Sequence, residues 1–314
     1  MTRSPSPAPR LITRGSLGSA INWPHFVAAL KRGHQRARAQ ISDVVLGPPE
    51  HSLLSRAAWI DGLGSGVKSV TVTQGNPGRG LPSVQGAMLV FDPLTGALEA
   101  IIDSALLTDL KTAADSLLGA QYLARADSKT LLVIGAGSVA RTAISAYCAV
   151  FPHITQALIW SRTASKAKAL AEELTVPNVA LSATENLREA LGSADIVTTA
   201  TMSHEPVLLG DWVRPGTHVD LVGAFRAEMR EADDALLQKA RLFVDNRDTT
   251  LNHIGELMIP LASGAIALSD VLGDLYDLEA GIPGRTAPED VTVFKNGGGA
   301  HLDLMTARAI LDLL

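Results

Sequence analysis

One cysteine, Cys148, occurs in the 314 residues. That excludes an intrachain disulfide and a thiolate metal cluster; the residue falls on an alanine-rich helical stretch and reads as a small buried filler. Aromatic residues make up only 4% of the chain, and the formal charge is −5. The basic field and the stacking platforms that nucleic-acid binding needs are therefore both missing. No run of about eighteen apolar residues appears, so no membrane-spanning helix is expected. Residues 1–10, rich in proline and serine, lack the apolar centre of a signal peptide and read as a frayed start. His204, His218 and His253 show no metal-ligand spacing, and no metal is expected. These absences leave a soluble, cytoplasmic protein that acts on a small molecule.

What is present begins with Leu131-Leu132-Val133-Ile134-Gly135-Ala136-Gly137-Ser138-Val139-Ala140, an apolar strand running into a Gly-x-Gly-x-x-Ala turn and an alanine-rich helix. Gly135 permits the tight turn, Gly137 lets backbone approach a pyrophosphate, and Ala140 lets the helix pack on the strand. The N–H groups that open the helix, with its positive dipole end, would hold the diphosphate. The next strand ends in Ser161-Arg162-Thr163, where an NAD-selective site places a carboxylate for the ribose hydroxyls. Hydroxyls and a guanidinium suit the extra phosphate of NADP(H), so NADPH is the expected cofactor, with NADH possible; the alternative is that Arg162 is a solvated loop residue. Thr201, after the strand 196–200, either faces the cofactor or is ordinary strand filler.

Around this turn the pattern divides. Helical periodicity over 24–38 precedes short strands at Ala57–Ile60, Gly66–Thr73, Ala87–Asp92 and Leu98–Ile102, which read as an antiparallel sheet. A helix over Asp109–Leu123 leads to alternating strands and helices from Thr130 to Val244, the signature of a parallel, doubly wound sheet. The expected fold is α/β: a doubly wound parallel-sheet Rossmann domain over 115–296, plus a smaller α+β domain of residues 1–114 with 297–314. Asn296-Gly297-Gly298-Gly299 marks a hinge or a close approach of backbone to a planar ligand.

In the smaller domain Lys68 shares a strand face with Val70 and Val72. A lysine on an apolar wall is either an edge-strand guard or an anion anchor. Lys111, at the helix that leads into the nucleotide domain, either reaches a phosphate or substrate carboxylate or is a surface lysine.

Taken in order, Gly66-Val67-Lys68, Gly75-Asn76-Pro77, Leu81-Pro82-Ser83-Val84-Gln85-Gly86, Lys111-Thr112-Ala113-Ala114, the Gly-rich turn and Val293-Phe294-Lys295-Asn296 resemble the ornithine cyclodeaminase/mu-crystallin family over nearly the whole chain. The resemblance implies a homodimer joined through the first domain, which makes that domain the substrate and dimerisation domain. It implies a substrate carboxylate held by Lys68, and cofactor contacts from Ser83, Lys111, Ser138, Val139, Val222, Gly223 and Asn296 beside those of the turn. Cyclodeaminase members carry a catalytic aspartate where this chain has Phe225, so ornithine deamination is disfavoured. Gly223-Ala224-Phe225-Arg226 through Arg230-Glu231 looks instead like the imine-reducing members. The implied activity is NAD(P)H-dependent reduction of cyclic imino acids, Δ1-pyrroline-2-carboxylate to L-proline, with Δ1-piperideine-2-carboxylate to L-pipecolate as a second ring size. Alternatives are alanine dehydrogenase-like reductive amination and a catalytically silent NADP(H)-binding protein. Proton-donor candidates are Asp115, His301 and Asp303, each also readable as a helix-terminal polar group with local hydrogen bonds. Members often have a further arginine where this chain has Pro48-Pro49-Glu50; Arg56 and Arg79 are the possible substitutes.

Overall fold

The structure, a computed structural model, describes residues 8–18 and 21–314; most of the expected frayed start, residues 1–7, lies outside them. In chain order the elements are β1 (Arg10–Ile12), α1 (Trp23–His34), β2 (Gln40–Leu46), β3 (His51–Ile60), β4 (Gly64–Thr73), β5 (Val84–Phe91), β6 (Leu98–Asp103) and α2 (Ser104–Leu123). There follow β7 (Thr130–Ile134), α3 (Ser138–Val150), β8 (Gln156–Trp160), α4 (Ala164–Glu173), β9 (Ala180–Ala183), α5 (Leu187–Ser193), β10 (Ile196–Thr199), β11 (His218–Leu221) and α6 (Asp234–Lys239). The chain ends with β12 (Arg241–Val244), α7 (Arg247–Thr250), α8 (Gly255–Ser263), β13 (Val271–Gly273), α9 (Leu275–Glu279), β14 (Thr292–Lys295) and α10 (Ala300–Leu311). Among the described residues no helix is long and apolar enough to cross a membrane.

Two compact units are present, Met1–Lys111 with Gly299–Leu314, and Thr112–Gly298. The borders expected at 114/115 and 296/297 differ from these by less than a helical turn. The first border falls inside a continuous helix, α2, where sequence offers no break.

In the first unit β2 to β6 form an antiparallel meander, and β1 adds in parallel to β6, giving the order β1-β6-β5-β4-β3-β2. Strand β4 alternates: Gly64, Gly66, Lys68 and Val70 are buried, and α10 packs on β3 and β4. Gly66 leaves room there: a Cβ on it would stand 2.4 Å from the Met88 side chain and 2.9 Å from the Leu89 carbonyl oxygen of β5, and 3.3 Å from the Leu304 side chain of α10. β4 lies inside the sheet, which rules out the edge-strand reading of Lys68. Strand β2 was not expected, because Ser42 and Asp43 interrupt its apolar pattern; it is an edge strand exposed along most of its length. Helix α2 starts at Ser104 rather than Asp109, because Asp103 accepts from the Leu106 N–H at 2.8 Å and opens it a turn earlier.

The second unit is an eight-stranded, wholly parallel sheet in the order β13-β12-β14-β11-β10-β7-β8-β9. Alternate strand residues, among them Leu132 and Ile134, Val197, Val219 and Leu221, Leu242 and Val244, and Val293, share one buried apolar cluster. Strand order reverses between β7 and β10. In such sheets the loops diverge at that point and leave a crevice beyond the carboxyl ends.

Candidate active site

The crevice is built by three adjacent strand ends. Gly135 N–H donates to the Trp160 carbonyl at 2.8 Å, and Ala200 N–H to the Ile134 carbonyl at 2.7 Å, so β8, β7 and β10 finish side by side. Gly135 has φ +136°, where L side chains are strained, and a Cβ on it would stand 2.6 Å from the Ala200 carbonyl oxygen. Gly137 caps α3, and a Cβ there would meet nothing within 4 Å. The backbone at Gly137 thus fronts open space at a helix N-terminus. A cavity of about 320 Å³ lies there, and the structure gathers Gly135, Gly137, Ser161, Arg162, Thr163 and Thr201 around it. Lys166 joins them, a residue the sequence reading passed over. It lies in the first turn of α4, which begins at Ala164, and so stays beside the Ser161–Thr163 loop. No carboxylate lines the cavity. Backbone N–H groups, hydroxyls and two cations are a donor set that fits a polyphosphate ligand.

Behind the cavity sits Glu231, fully buried. One of its oxygens accepts from the Thr201 N–H and hydroxyl at 2.8 and 2.7 Å; the other accepts from the Thr199 hydroxyl at 2.6 Å and the N–H groups of Gly223 and Ala224 at 2.6 and 3.2 Å. Gly223, expected to contact the cofactor, gives its N–H to this carboxylate. Val222 N–H pairs with the Thr199 carbonyl. Neither residue lines the cavity. Glu256 accepts in turn from the N–H groups of Glu231 and Ala232, at 2.8 and 2.9 Å. Burial, and then the charge of Glu231, push its carboxyl up to about 7.

Asn296 is also occupied within the second unit, its amide donating to the Thr112 carbonyl and the Ser116 hydroxyl, both at 3.0 Å. Gly297 and Gly298 give their N–H groups to Asp245. Asp115 lies fully buried in the same unit; burial, then Asp220 and last Asp115, push the Tyr147 phenol well above its ordinary range. Ser138 opens α3 exposed, with half-buried Val139 after it. Cys148 on α3 is only half-buried, yet burial pushes its thiol up to about 11.

The first unit brings together a second set. Lys68 Nζ lies 2.7 Å from Asp303 Oδ1, and both side chains are buried. Two residues once considered for separate tasks are therefore one ion pair. Arg56 is the cross-strand register partner of Lys68 and binds Asp43 at 2.8 Å, while Arg79 stands in a short turn before β5. Pro48–Glu50 form the hairpin turn between β2 and β3, several residues along the sheet from that row. His301 is held well below the ordinary imidazole range, first by burial and then by His34, Lys111, Arg56 and Arg38. That direction favours the neutral ring over the imidazolium. Lys111, buried on α2, belongs to this cationic surrounding. Ser83 precedes β5 and accepts from the Thr73 N–H through its carbonyl.

The ornithine cyclodeaminase/mu-crystallin family pattern matches residues 60–314. A Δ1-pyrroline-2-carboxylate reductase of Paracoccus denitrificans is 56% identical over 310 residues, 98% of each chain. The solved structure of Thermococcus litoralis Δ1-pyrroline-2-carboxylate reductase, in complex with NADH and L-proline, aligns with a TM-score of 0.90 at 31% identity over 97% of both chains. An archaeal alanine dehydrogenase dimer with bound NAD aligns at 0.88, with 28% identity over 97% of this chain and 95% of the other. The crevice at the β7/β10 reversal agrees with these likenesses, and the chain belongs to the ornithine cyclodeaminase/mu-crystallin family.

Proposed function

We propose that this protein is a cytoplasmic NAD(P)H-dependent reductase of cyclic imino acids, converting Δ1-pyrroline-2-carboxylate to L-proline and Δ1-piperideine-2-carboxylate to L-pipecolate. The observation that carries the reading is 56% identity, across nearly the full length of both chains, to a Δ1-pyrroline-2-carboxylate reductase. The carboxylate-free cavity at the glycine turn supports a dinucleotide there. When bound, the dinucleotide supplies a hydride. Reduction places that hydride on the imine carbon and a proton on the ring nitrogen, so the chain must orient the ring and hold its carboxylate.

Lys68 is the proposed carboxylate anchor. Its ion pair with Asp303 fixes the ammonium at one place, and Asp303, the carboxylate beside that ammonium, is the proposed group for relaying a proton. Arg162 and Lys166 are the proposed seat of a 2′-phosphate, which makes NADPH the preferred cofactor; among the described residues neither takes part in an ion pair, and both line the cavity. The working form is proposed to be a homodimer joined through the first unit. Val44, Val45 and Leu46 are exposed on edge strand β2, an apolar run that an isolated edge seldom leaves to solvent.

The test is loss of reduced-nicotinamide absorbance on adding Δ1-pyrroline-2-carboxylate, with pyruvate plus ammonia and ornithine as parallel substrates. Turnover with the cyclic imine alone is expected. Turnover only with pyruvate and ammonia, or none at all, would refute the reading.

A further inference from the structure

We infer that Glu231 is the positioning residue of the dinucleotide site, the buried carboxylate that holds the β10 and β11 loops together and so sets Thr201 at the cavity wall. The inference rests on the cofactor reading above. A carboxylate only accepts, through two oxygens, and here both are filled by donors from the ends of two neighbouring strands: Thr199, the last residue of β10, with Thr201 just after it, and Gly223 and Ala224 after β11. Hydrogen bonds to a charged acceptor are the stronger kind. Closeness is built in as well, because a Cβ at Gly223 would overlap the Thr201 backbone and Glu231 itself. Glu231 is in turn fixed by its own backbone: its N–H binds Glu256, and its carbonyl accepts from Val207 and Leu208 at 2.9 and 3.0 Å. Val207 lines the same cavity with Thr201. One residue thus ties Thr201 and Val207, both of which line the cavity, without lining it itself.

The geometry states what Glu231→Gln must do. Set toward Gly223 and Ala224, the new amide NH2 opposes two backbone N–H groups. Set toward Thr201, it opposes only one, since the hydroxyl can turn and accept. The second arrangement costs less, and it pushes the Thr201 backbone away from its place at the cavity.

The measurement is direct binding of NADPH and NADH by nucleotide fluorescence, alongside thermal unfolding and the imine KM at saturating dinucleotide. Glu231→Gln is expected to raise the dinucleotide Kd by about tenfold or more, the usual consequence of one buried donor left without an acceptor, and to leave the imine KM unchanged. Thr199→Val keeps shape, removes one donor to Glu231 and alters a buried residue that does not line the cavity; its Kd is expected to rise about threefold. Wild-type Kd in Thr199→Val, or in folded Glu231→Gln, would overturn the inference, as would a matching rise in the imine KM. A merely structural role would lower the melting temperature and spare the Kd of the folded fraction. Failure of the wild-type protein to bind either dinucleotide would refute the cofactor reading itself, and this inference with it.

Discussion

Lys68 shows how one residue's role changes once its neighbour is seen. As an isolated cation on a strand it invites truncation as a clean test of substrate binding. Paired with buried Asp303, it does not allow one. Removing the ammonium leaves a buried charge uncompensated, at a cost of about 3–5 kcal/mol, so Lys68→Met is expected to lower stability in urea unfolding as well as raise the imine KM. Lys68→Met combined with Asp303→Asn should recover most of the stability and none of the imine affinity. Recovery of both would remove Lys68 as the carboxylate anchor. Arg162 has a simpler expectation: Arg162→Ala should raise the KM for NADPH about tenfold or more and that for NADH little, one charge-assisted contact being worth about that factor. Equal losses with both cofactors would remove it as the phosphate selector.

Among the elements, the β7–turn–α3 unit is the most demanding. Gly135 combines a left-handed backbone with a near contact to Ala200, so Gly135→Ala must either strain the turn or move the end of β10. Dinucleotide binding by fluorescence should be lost while the far-ultraviolet dichroism of the fold persists; retained affinity would mean that the turn is not the grip. Helix α6 offers a stability test away from the site. Its N-cap, Asp233, accepts from the Leu236 N–H at 3.0 Å and the Gly210 N–H at 2.8 Å. Asp233→Ala should cost about 1–2 kcal/mol, measured by urea unfolding.

For the whole molecule two expectations follow, one on assembly and one on pH. If the exposed apolar run on edge strand β2 joins two copies, Val45→Asp should shift the sedimentation coefficient toward a monomer and leave the first unit's sheet intact, because the side chain faces solvent. An unchanged dimer would place the interface elsewhere. His218, fully buried and bonded to Thr292 at 3.0 Å, is lowered to about 3 by burial and then by Arg285. Its folded value lies below the unfolded value near 6.5, so between the two the unfolded chain binds more protons and stability falls as pH falls. Glu256 acts oppositely: its carboxyl is raised, and stability falls as pH rises from 4.5 toward 7. The informative quantity is therefore the difference between wild type and His218→Asn. It should shrink by up to about 1.4 kcal/mol per pH unit below 6.5, and a flat difference would show that His218 ionises normally in the fold.

Local chemistry made the glycine turn, the strand–helix alternation and the absence of a selector carboxylate after β8 readable from sequence, because each is a property of residues a few positions apart. Positive φ at Gly135 and the start of α3 at Ser138 are of this kind. Sequence could not decide which residue meets Lys68, since Asp303 is 235 positions away and reaches it only when α10 lies on β4. Nor could it place Arg56, which gains its meaning from strand register, or give Glu231 its role, since a glutamate among polar loop residues reads as solvated until two loops converge on it. Gly223 and Asn296 have partners that their place in the pattern could not show: the Gly223 N–H and the Asn296 amide are both used within the protein. Spacing along a chain specifies backbone conformation and the turn that grips a phosphate; which buried charges neutralise one another depends on long-range packing, and only the folded structure decides it.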